Sequence, residues 1–508
     1  MIALNGRREF FWDDFIVDTE KTTASRRVHH PVRKEVAFCH DAPWEGDGCD
    51  FFSIVHDPLL GKYRMYYNGW EMLNPESTKH TTLDIHVCMI ESEDGVHWTR
   101  PELGIHEFNG STKNNIVACA SMFPGMVSID NFFVMIDDNP NRAVPERYKA
   151  VMMYYTGDGN GGYIKKLYAL ASDDGCNFRY LGVITGTGRF DTLNTALWDA
   201  QRGRYLCYIR DFHHPADADG VVRDVSYEDE KNINQYIRDI RVLSSPDFLR
   251  WSTPRRIDFE GAEDYPLYTN CVFPYPGSPH MLVGLPSRYV ERRAWNSNFD
   301  RLCGAQKRRA RMGIEPRLGL ATTDCLFMCS RDGESWRRYD EAFMRPGPEQ
   351  PMNWVYGDCF PAVGVIPSPA DLPDADRVMS LYVFENHWMG VPANTARYVL
   401  RWDGFVSLCA GIAPRKIVTK PFTFTGSVFC VNFETSARGW LYIRLRNLRN
   451  GQVLASEELF GDRVNRVVDF DGDLSALAGC PVVLEMELCD ADVYAFQFLE
   501  SEPQGDGI

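Results

Sequence analysis

Apolar and β-branched residues come in short runs along this chain, and turn-forming residues break them. The stretch from Asp50 to Trp98 sets the pattern. DFFSIVHDPLLGKYRMYYNG (Asp50 to Gly69) predicts a strand, a tight turn and a second, aromatic-rich alternating strand. SEDGVHW (Ser92 to Trp98) predicts a polar hairpin turn whose Trp folds back onto the sheet. The opening half recurs from Asp130 to Tyr155, from Asp191 to Arg210, from Tyr268 to Tyr289 and, more loosely, from Asp358 to Trp388. The closing half recurs as SDDGCNF (Ser172 to Phe178), SPDFLRW (Ser245 to Trp251) and SRDGESW (Ser330 to Trp336). Only RWDGFVSL (Arg401 to Leu408) follows the fifth copy.

The copies are spaced by roughly 70 to 85 residues, longer than the ~40 to 50 of WD40 or kelch repeats, so each carries long loops. One such unit cannot bury its own faces, whereas five arranged radially form a β-propeller with protected edges. The expected fold is therefore all-β, with a five-bladed propeller over about residues 45–410. Residues 1–44 precede it as an arm packed on the propeller. From 411 to 508 the runs TFTGSVFCVNF, GWLYIRLRN, VVLEMEL and YAFQFLE alternate apolar and polar residues, which predicts an antiparallel β-sandwich. The length supports this partition, because 508 residues exceed the ~250–300 at which one core stops growing.

Three stretches interrupt the repeat. GDGNGG (Gly157 to Gly162) follows a hairpin strand and opens no helix, so it predicts a loop and not a dinucleotide site. RRVHHPVRK (Arg26 to Lys34) is a basic run, read as a solvated strand edge or an arm at the mouth of a site. The fourth repeat carries an insertion from Val290 to Arg317 with KRRAR (Lys307 to Arg311), read as an exposed loop or one that reaches over the pocket.

The net charge of −16 argues against nucleic acid or an anionic membrane as partner, since both need a positive field. No apolar run approaches the ~20 residues of a membrane-spanning helix, and the first residues lack a secretory apolar core. The 15 cysteines are scattered through apolar strands and read as reduced core thiols. A cytoplasmic protein meeting small substrates is expected, with homo-oligomerisation left open. No CxxC pair or HExxH appears, so neither metal nor cofactor is expected.

In a propeller the first strand of each blade lines the central channel, and its starting residue faces the pocket. Aligning the copies puts Asp50, Asp130, Asp191 and Asp358 at those starts; in the fourth, Tyr268 follows Glu263 and Asp264. Converging carboxylates raise one another's pKa, yet glycosyl transfer needs them: an acid for the leaving oxygen, a base or nucleophile, and a third group to tune or orient. Arg210 and Arg288, each after a second strand, are candidate ligands for sugar hydroxyls or an anion. His387 beside Glu385, and Trp44, Trp70, Trp354 and Trp388 near blade ends, are further candidates for sugar contact.

These features resemble the five-bladed glycoside hydrolases of families 43 and 32. In the family 43 pattern a base Asp precedes an apolar strand and a Gly-Lys-Tyr-Tyr turn, matched by Asp50 ahead of FFSIVHDPLLGKYRMYY. A second Asp precedes an apolar strand and an Asp-Asp turn, matched by Asp130 with NFFVMIDD. The resemblance implies that Asp50 is base or nucleophile and that Asp130 tunes the acid. The family's acid is Glu at the start of blade three, where this chain has Asp191; Glu263 or Glu385 are then alternative acids. The Trp-Met-Asn-Asp-Pro and Glu-Cys signatures of family 32 are absent, and RDF (Arg210 to Phe212) only loosely matches its Arg-Asp-Pro. YRMYY, DGVHWTRPELGIHEFNGSTKNN and LYTN are similar to a group of bacterial family-32-like proteins. The Ser-x-Asp-Gly turns resemble sialidase Asp-boxes and are read as structural. The expected function is a glycosidase acting on a small oligosaccharide or glycoside, furanosides included. The alternatives are a phosphorylase on the same fold and a non-catalytic carbohydrate-binding or assembly protein.

Overall fold

The computed structural model describes residues 1–71, 84–157, 163–215 and 236–503. Most of the GDGNGG loop and the last five residues lie outside that range. The fold is all-β, and five of its six sheets are the blades of a propeller. Blade one pairs Asp50–Asp57, Lys62–Gly69, His86–Ser92 and Ile116–Cys119 in sequence order. Blade two uses Ser128–Ile136, Tyr148–Gly157, Tyr163–Ser172 and Arg179–Thr185. Blade three uses Thr195–Asp199, Arg204–His213, Ile237–Ser245 and Arg255–Arg256. Blade four is built on Val272–Pro274, Leu282–Gly284, Ser287–Glu291, Ala321–Ser330 and Arg337–Met344. Blade five takes Ile366–Ser368, Val378–Glu385 and Ala393–Arg401, and its outermost strand is Val32–His40 from the start of the chain.

Clustering of contacts divides the chain into two compact units, one of Arg33–Ile366 with Leu381–Tyr398, the other of Met1–Val32, Pro367–Ser380 and Val399–Ile508. In the first unit the innermost strands meet side by side. Ile54 N–H donates to Val363 O at 3.0 Å and Val363 N–H to Phe52 O at 2.8 Å, which closes blade five onto blade one. Apolar faces fill the spaces between blades. Val55, Tyr66, Met89, Phe132, Val134 and Met152 form one shared core, and Leu206, Tyr208, Val242, Leu282, Met328 and Trp336 another. At the far ends of the inner strands a cavity of about 560 Å³ is lined mainly by aliphatic and aromatic residues from all five blades, among them Ile54, Phe133, Leu197, Val272 and Val363.

The Ser-x-Asp turns are structural. In each, the aspartate carboxylate accepts two successive backbone N–H groups: Val96 and His97 on Asp94, Cys176 and Asn177 on Asp174, Leu249 and Arg250 on Asp247, Glu334 and Ser335 on Asp332. Burial raises the Asp174 carboxyl, but these donors prevail and hold it down at about 2. Tyrosines of the preceding blade clasp two of the turns: Tyr66 Oη donates to Gly175 O and Tyr208 Oη to Gly333 O. Gly175 has φ +73°, and a Cβ there would lie 2.6 Å from both Tyr66 Oη and Tyr148 Cε1. Gly175→Ala is therefore expected to cost about 2–4 kcal/mol, through left-handed strain and overpacking, and to lower the urea midpoint. An unchanged midpoint would show that the blade contact yields.

The second unit is the sandwich. Two long strands, Val428–Asn447 and Val482–Leu499, pair antiparallel along most of their length and bury Phe429, Phe433, Leu441, Ile443, Leu484, Met486 and Phe496. Strands from the start of the chain complete it: Glu9–Phe10 pairs with Val482–Leu499, and Ser25–Val28 pairs with Val406–Ala410. The basic run is spent here on internal contacts. Arg26 donates to Phe11 O, Asp13 O and Asp14, and Arg27 pairs with Asp492 at 2.8 Å.

The blade-four insertion folds into short helices, Ser297–Arg301, Ala305–Ile314 and Pro316–Leu320. Arg308 and Arg311 of its basic run are each only 1% exposed. They donate to Gly319 O, Trp354 O and Tyr356 O, which ties the insertion to the loop before the fifth inner strand.

Candidate active site

The starts of the inner strands are built on an unusual backbone. Phe51, Asn131, Cys271 and Cys359, which follow Asp50, Asp130, Asn270 and Asp358, all have positive φ between 42° and 56°. Non-glycine residues adopt that region at a cost. The ladder skips register at the same place, between Asp50 and Ser53 and between Val151 and Met153 opposite Asp130. Such bulges re-aim side chains. In blades one and two they free an aspartate from the regular alternation.

Asp50 is buried, at 1% exposure, and its Oδ1 has no hydrogen-bond partner among the described residues. Desolvation, then the charge of Asp130, push its pKa well above the usual carboxylate range, against opposing hydrogen bonds from Trp70 and Asn68. Asp130 accepts from Asn68 Nδ2 at 2.9 Å and from the Asn131 N–H at 2.7 Å. Desolvation and the charge of Asp191 raise it to about 8. Asp191 is exposed and lies 4.0 Å from Arg210 Nη2. The largest charge acting on Asp50 is Asp130, and the largest acting on Asp130 is Asp191, so the three form an electrostatic series with Asp130 in the middle.

Neutral and aromatic groups enclose the series. His387 Nε2 is 4.0 Å from Asp50 Oδ2, and its ring stacks on Trp388 at 4.2 Å. Burial, reinforced by Arg311, pushes the His387 pKa well down, so His387 brings no cation to Asp50. Trp388 meets Trp70 edge to face at 5.2 Å and lies 5.2 Å from Tyr356. Tyr356 in turn packs edge-on against Tyr268 at 5.3 Å. Burial, then Asp130 and Asp191, push the Tyr155 phenol up, which keeps it a neutral donor.

The structure thus brings together Asp50, Asp130, Asp191, Arg210, His387, Trp70 and Trp388 from the sequence reading. The remaining candidates are occupied elsewhere. Glu263 is exposed, and its carbonyl accepts from Arg338. Glu385 holds Arg33 through both oxygens at 2.7 and 2.8 Å, and Arg288 holds Asp324 at 3.0 and 2.6 Å. Asp358 accepts the Val355 N–H at 2.8 Å and neighbours Arg311 and Arg308; burial is the main cause that raises it to about 7. The Trp44 indole donates to Asn115 Oδ1 at 2.7 Å and the Trp354 indole to Gly347 O at 2.9 Å. Asn68, Tyr155, Tyr356 and Arg238 enter the site from the structure alone; of these only Asn68, in the YYNGW run beside Asp50, had a sequence cue in its strand position.

No protein-family model and no curated protein matches the chain. Similar solved structures include an N-acetylgalactosamine deacetylase from F. plautii in complex with blood group B trisaccharide, at 13% identity over 75% of this chain and 95% of that one, TM-score 0.40. An endo-arabinase from Bacteroides thetaiotaomicron is 10% identical over 74% and 97%, TM-score 0.38. A GH32 beta-fructofuranosidase from Bombyx mori is 9% identical over 93% and 94%, TM-score 0.38. The five-bladed ring of this chain rests on its own strand pairing.

On that pairing, the chemistry of the site can be stated. Asp50, Asp130 and Asp191 act on one another electrostatically, with no cation paired to Asp50 among the described residues. Burial and their like charges favour the protonated forms of Asp50 and Asp130. Such a set can donate a proton at one oxygen while another carboxylate approaches the carbon.

Proposed function

We propose that this protein is a glycoside hydrolase acting on a small oligosaccharide or glycoside, with the reaction at the Asp50–Asp130–Asp191 series. The observation that carries the reading is that Asp50, Asp130 and Asp191 form one electrostatic series near the starts of the inner strands, with Asp50 buried and its Oδ1 unpartnered among the described residues. A structural role gives no reason to keep Asp50 buried without a partner on Oδ1. Asp50 acts as base or nucleophile on the anomeric carbon. Asp191, at the open side, protonates the leaving oxygen, and Asp130 stands between the two. Trp70 and Trp388 offer aromatic surface to the apolar face of a sugar ring.

The test is a panel of nitrophenyl pyranosides and furanosides. Cleavage by the parent protein is expected for at least one member. Asp191→Asn should then lose far less rate on substrates with an activated leaving group than on a natural disaccharide, because nitrophenol needs no proton. Equal losses on both would remove Asp191 from the acid role. Arg210, 4.0 Å from Asp191, and its neighbour Arg238 favour a second reading in which phosphate replaces water as the attacking group.

A further inference from the structure

The two central strands of blade three, Arg204–His213 and Ile237–Ser245, carry charges of both signs, and alternation sorts them onto two faces. One face holds Asp211, His213, Asp239 and Arg241. It neutralises itself: Arg241 Nη1 lies 3.2 Å from Asp211, and His213 Nδ1 lies 2.8 Å from Asp239. The other face holds Arg210 and Arg238 with Phe212 between them in register. These two guanidiniums are 6% and 5% exposed. Their neighbours are rings. Arg210 Cζ stands 4.8 Å from the centre of Tyr268 and 5.5 Å from that of Phe212. Arg238 Cζ stands 4.3 Å from Tyr289, 5.2 Å from Phe212 and 5.7 Å from Tyr268.

Among the described residues Arg238 has no carboxylate within ion-pair distance, and its buried Nε has no hydrogen-bond partner. Burial, then the like charge of Arg210, depress its affinity for the proton, with Arg317 adding to the effect. A buried guanidinium left without an anion is unfavourable by several kcal/mol, and Arg238 lies beside a second buried guanidinium, Arg210, whose one ion-pair contact among the described residues is the exposed Asp191 at 4.0 Å. Cation–π contact with tyrosines recovers only part of that. Arg238 lines a cleft of about 570 Å³ together with Tyr265, Tyr289, Arg292 and Arg293, where Glu291 is the one carboxylate among the described residues. Glu291 is engaged by the Tyr289 hydroxyl at 2.7 Å.

The geometry points to an oxyanion-binding subsite formed by Arg210 and Arg238, beside the Asp50–Asp130–Asp191 series and reached from this cleft. Arginine forks suit a tetrahedral or planar oxyanion, bound bidentately. As a subsite of the proposed glycosidase the inference rests on that reading for its purpose, but not for its existence. The oxyanion has two sources: free inorganic phosphate, or an anionic group carried by the sugar. In the first case phosphate oxygen forms a bond to the anomeric carbon as the glycosidic C–O bond breaks. The departing oxygen then takes its proton from Asp191, and a glycosyl phosphate and an alcohol result.

The experiment is calorimetric titration of the full chain with inorganic phosphate, with glucose 6-phosphate and with glucuronate, at low and physiological salt and without any turnover substrate. At least one is expected to bind, at least tenfold more weakly to Arg238→Gln and intermediately to Arg238→Lys. Asp50→Asn should bind undiminished, so failure of the hydrolase reading leaves this result standing, and the reverse also holds. Binding of phosphate together with phosphate-dependent cleavage of a neutral glycoside identifies the free ion. Binding of a sugar acid or ester but not of phosphate identifies a charged substrate. Should Arg238→Gln fail to fold, Arg210→Lys replaces it in the same titration. No binding of any of the three, or binding unaltered in the arginine variants, overturns the proposal.

Discussion

Asp50→Asn is expected to lower kcat by about four orders of magnitude and, at pH 8, to raise the unfolding temperature by a few degrees. The first effect follows from the proposed role, since losing the base or nucleophile forfeits about 5.5 kcal/mol of transition-state stabilisation. The second follows from the sign of the linkage. Asp130 holds its proton to about 8 in the folded protein, against 3.8 ordinarily, and Asp50 is displaced in the same direction. A raised carboxyl stabilises fully below its unfolded value, and that stability is lost as pH rises through the folded value. Between about pH 4 and pH 8 the unfolded chain releases protons that the native pocket retains, so native stability falls with rising pH. Asparagine cannot ionise, which removes the Asp50 share of that loss. At pH 4 the parent and variant should unfold together. Turnover within tenfold of the parent removes Asp50 from the chemistry. An equal thermal shift at pH 4 and pH 8 would show that the gain is packing and not charge.

The parts of this site that were legible in the sequence are those fixed by short-range pattern. Asp50 and Asp130 each precede an apolar strand, and the Ser-x-Asp turns repeat the frame often enough to set the register. That places both aspartates near the starts of their strands, whereas the bulges that take them out of the regular alternation carry no signal in the pattern. Arg238 was not legible. Its face is known only once Ile237–Ser245 is paired with Arg204–His213, and over 20 residues of sequence separate those strands. The same applies to Val32–His40, whose blade partner lies some 360 residues away, because local pattern says that a strand forms and not which edge it completes. The basic helix of the insertion carries a different lesson. Lys307 to Arg311 has the composition of a solvated face, yet two of its arginines are buried and donate to the backbone carbonyls of Trp354 and Tyr356 in another loop. Composition does not register an acceptor supplied from elsewhere.

Those arginines set the second large expectation. Asp358→Ala should destabilise the protein by about 3–5 kcal/mol and open the helix Ala305–Ile314 to trypsin at Lys307 and Arg309. Asp358 is the carboxylate nearest in charge to both Arg308 and Arg311, and it also accepts the Val355 N–H. Among the described residues, removing it leaves two buried guanidiniums held by backbone carbonyls and, for Arg311, the Met389 sulfur, and each already has an unpartnered Nε. Asp358→Asn keeps an acceptor for Val355 but no charge, so it should fall between alanine and the parent. This ordering separates a structural Asp358 from a sugar-binding one. If Asp358 binds substrate, the asparagine variant loses KM without losing its unfolding midpoint. If it anchors the insertion, the midpoint falls first and the folded fraction retains kcat within about tenfold. Tryptic half-life and urea midpoint, measured on the same three proteins, decide between the two. The anchored reading also explains why only three of the four strand-start aspartates act together: in blade five the insertion claims the position, and Asp358 holds down the loop that carries Tyr356 to the pocket.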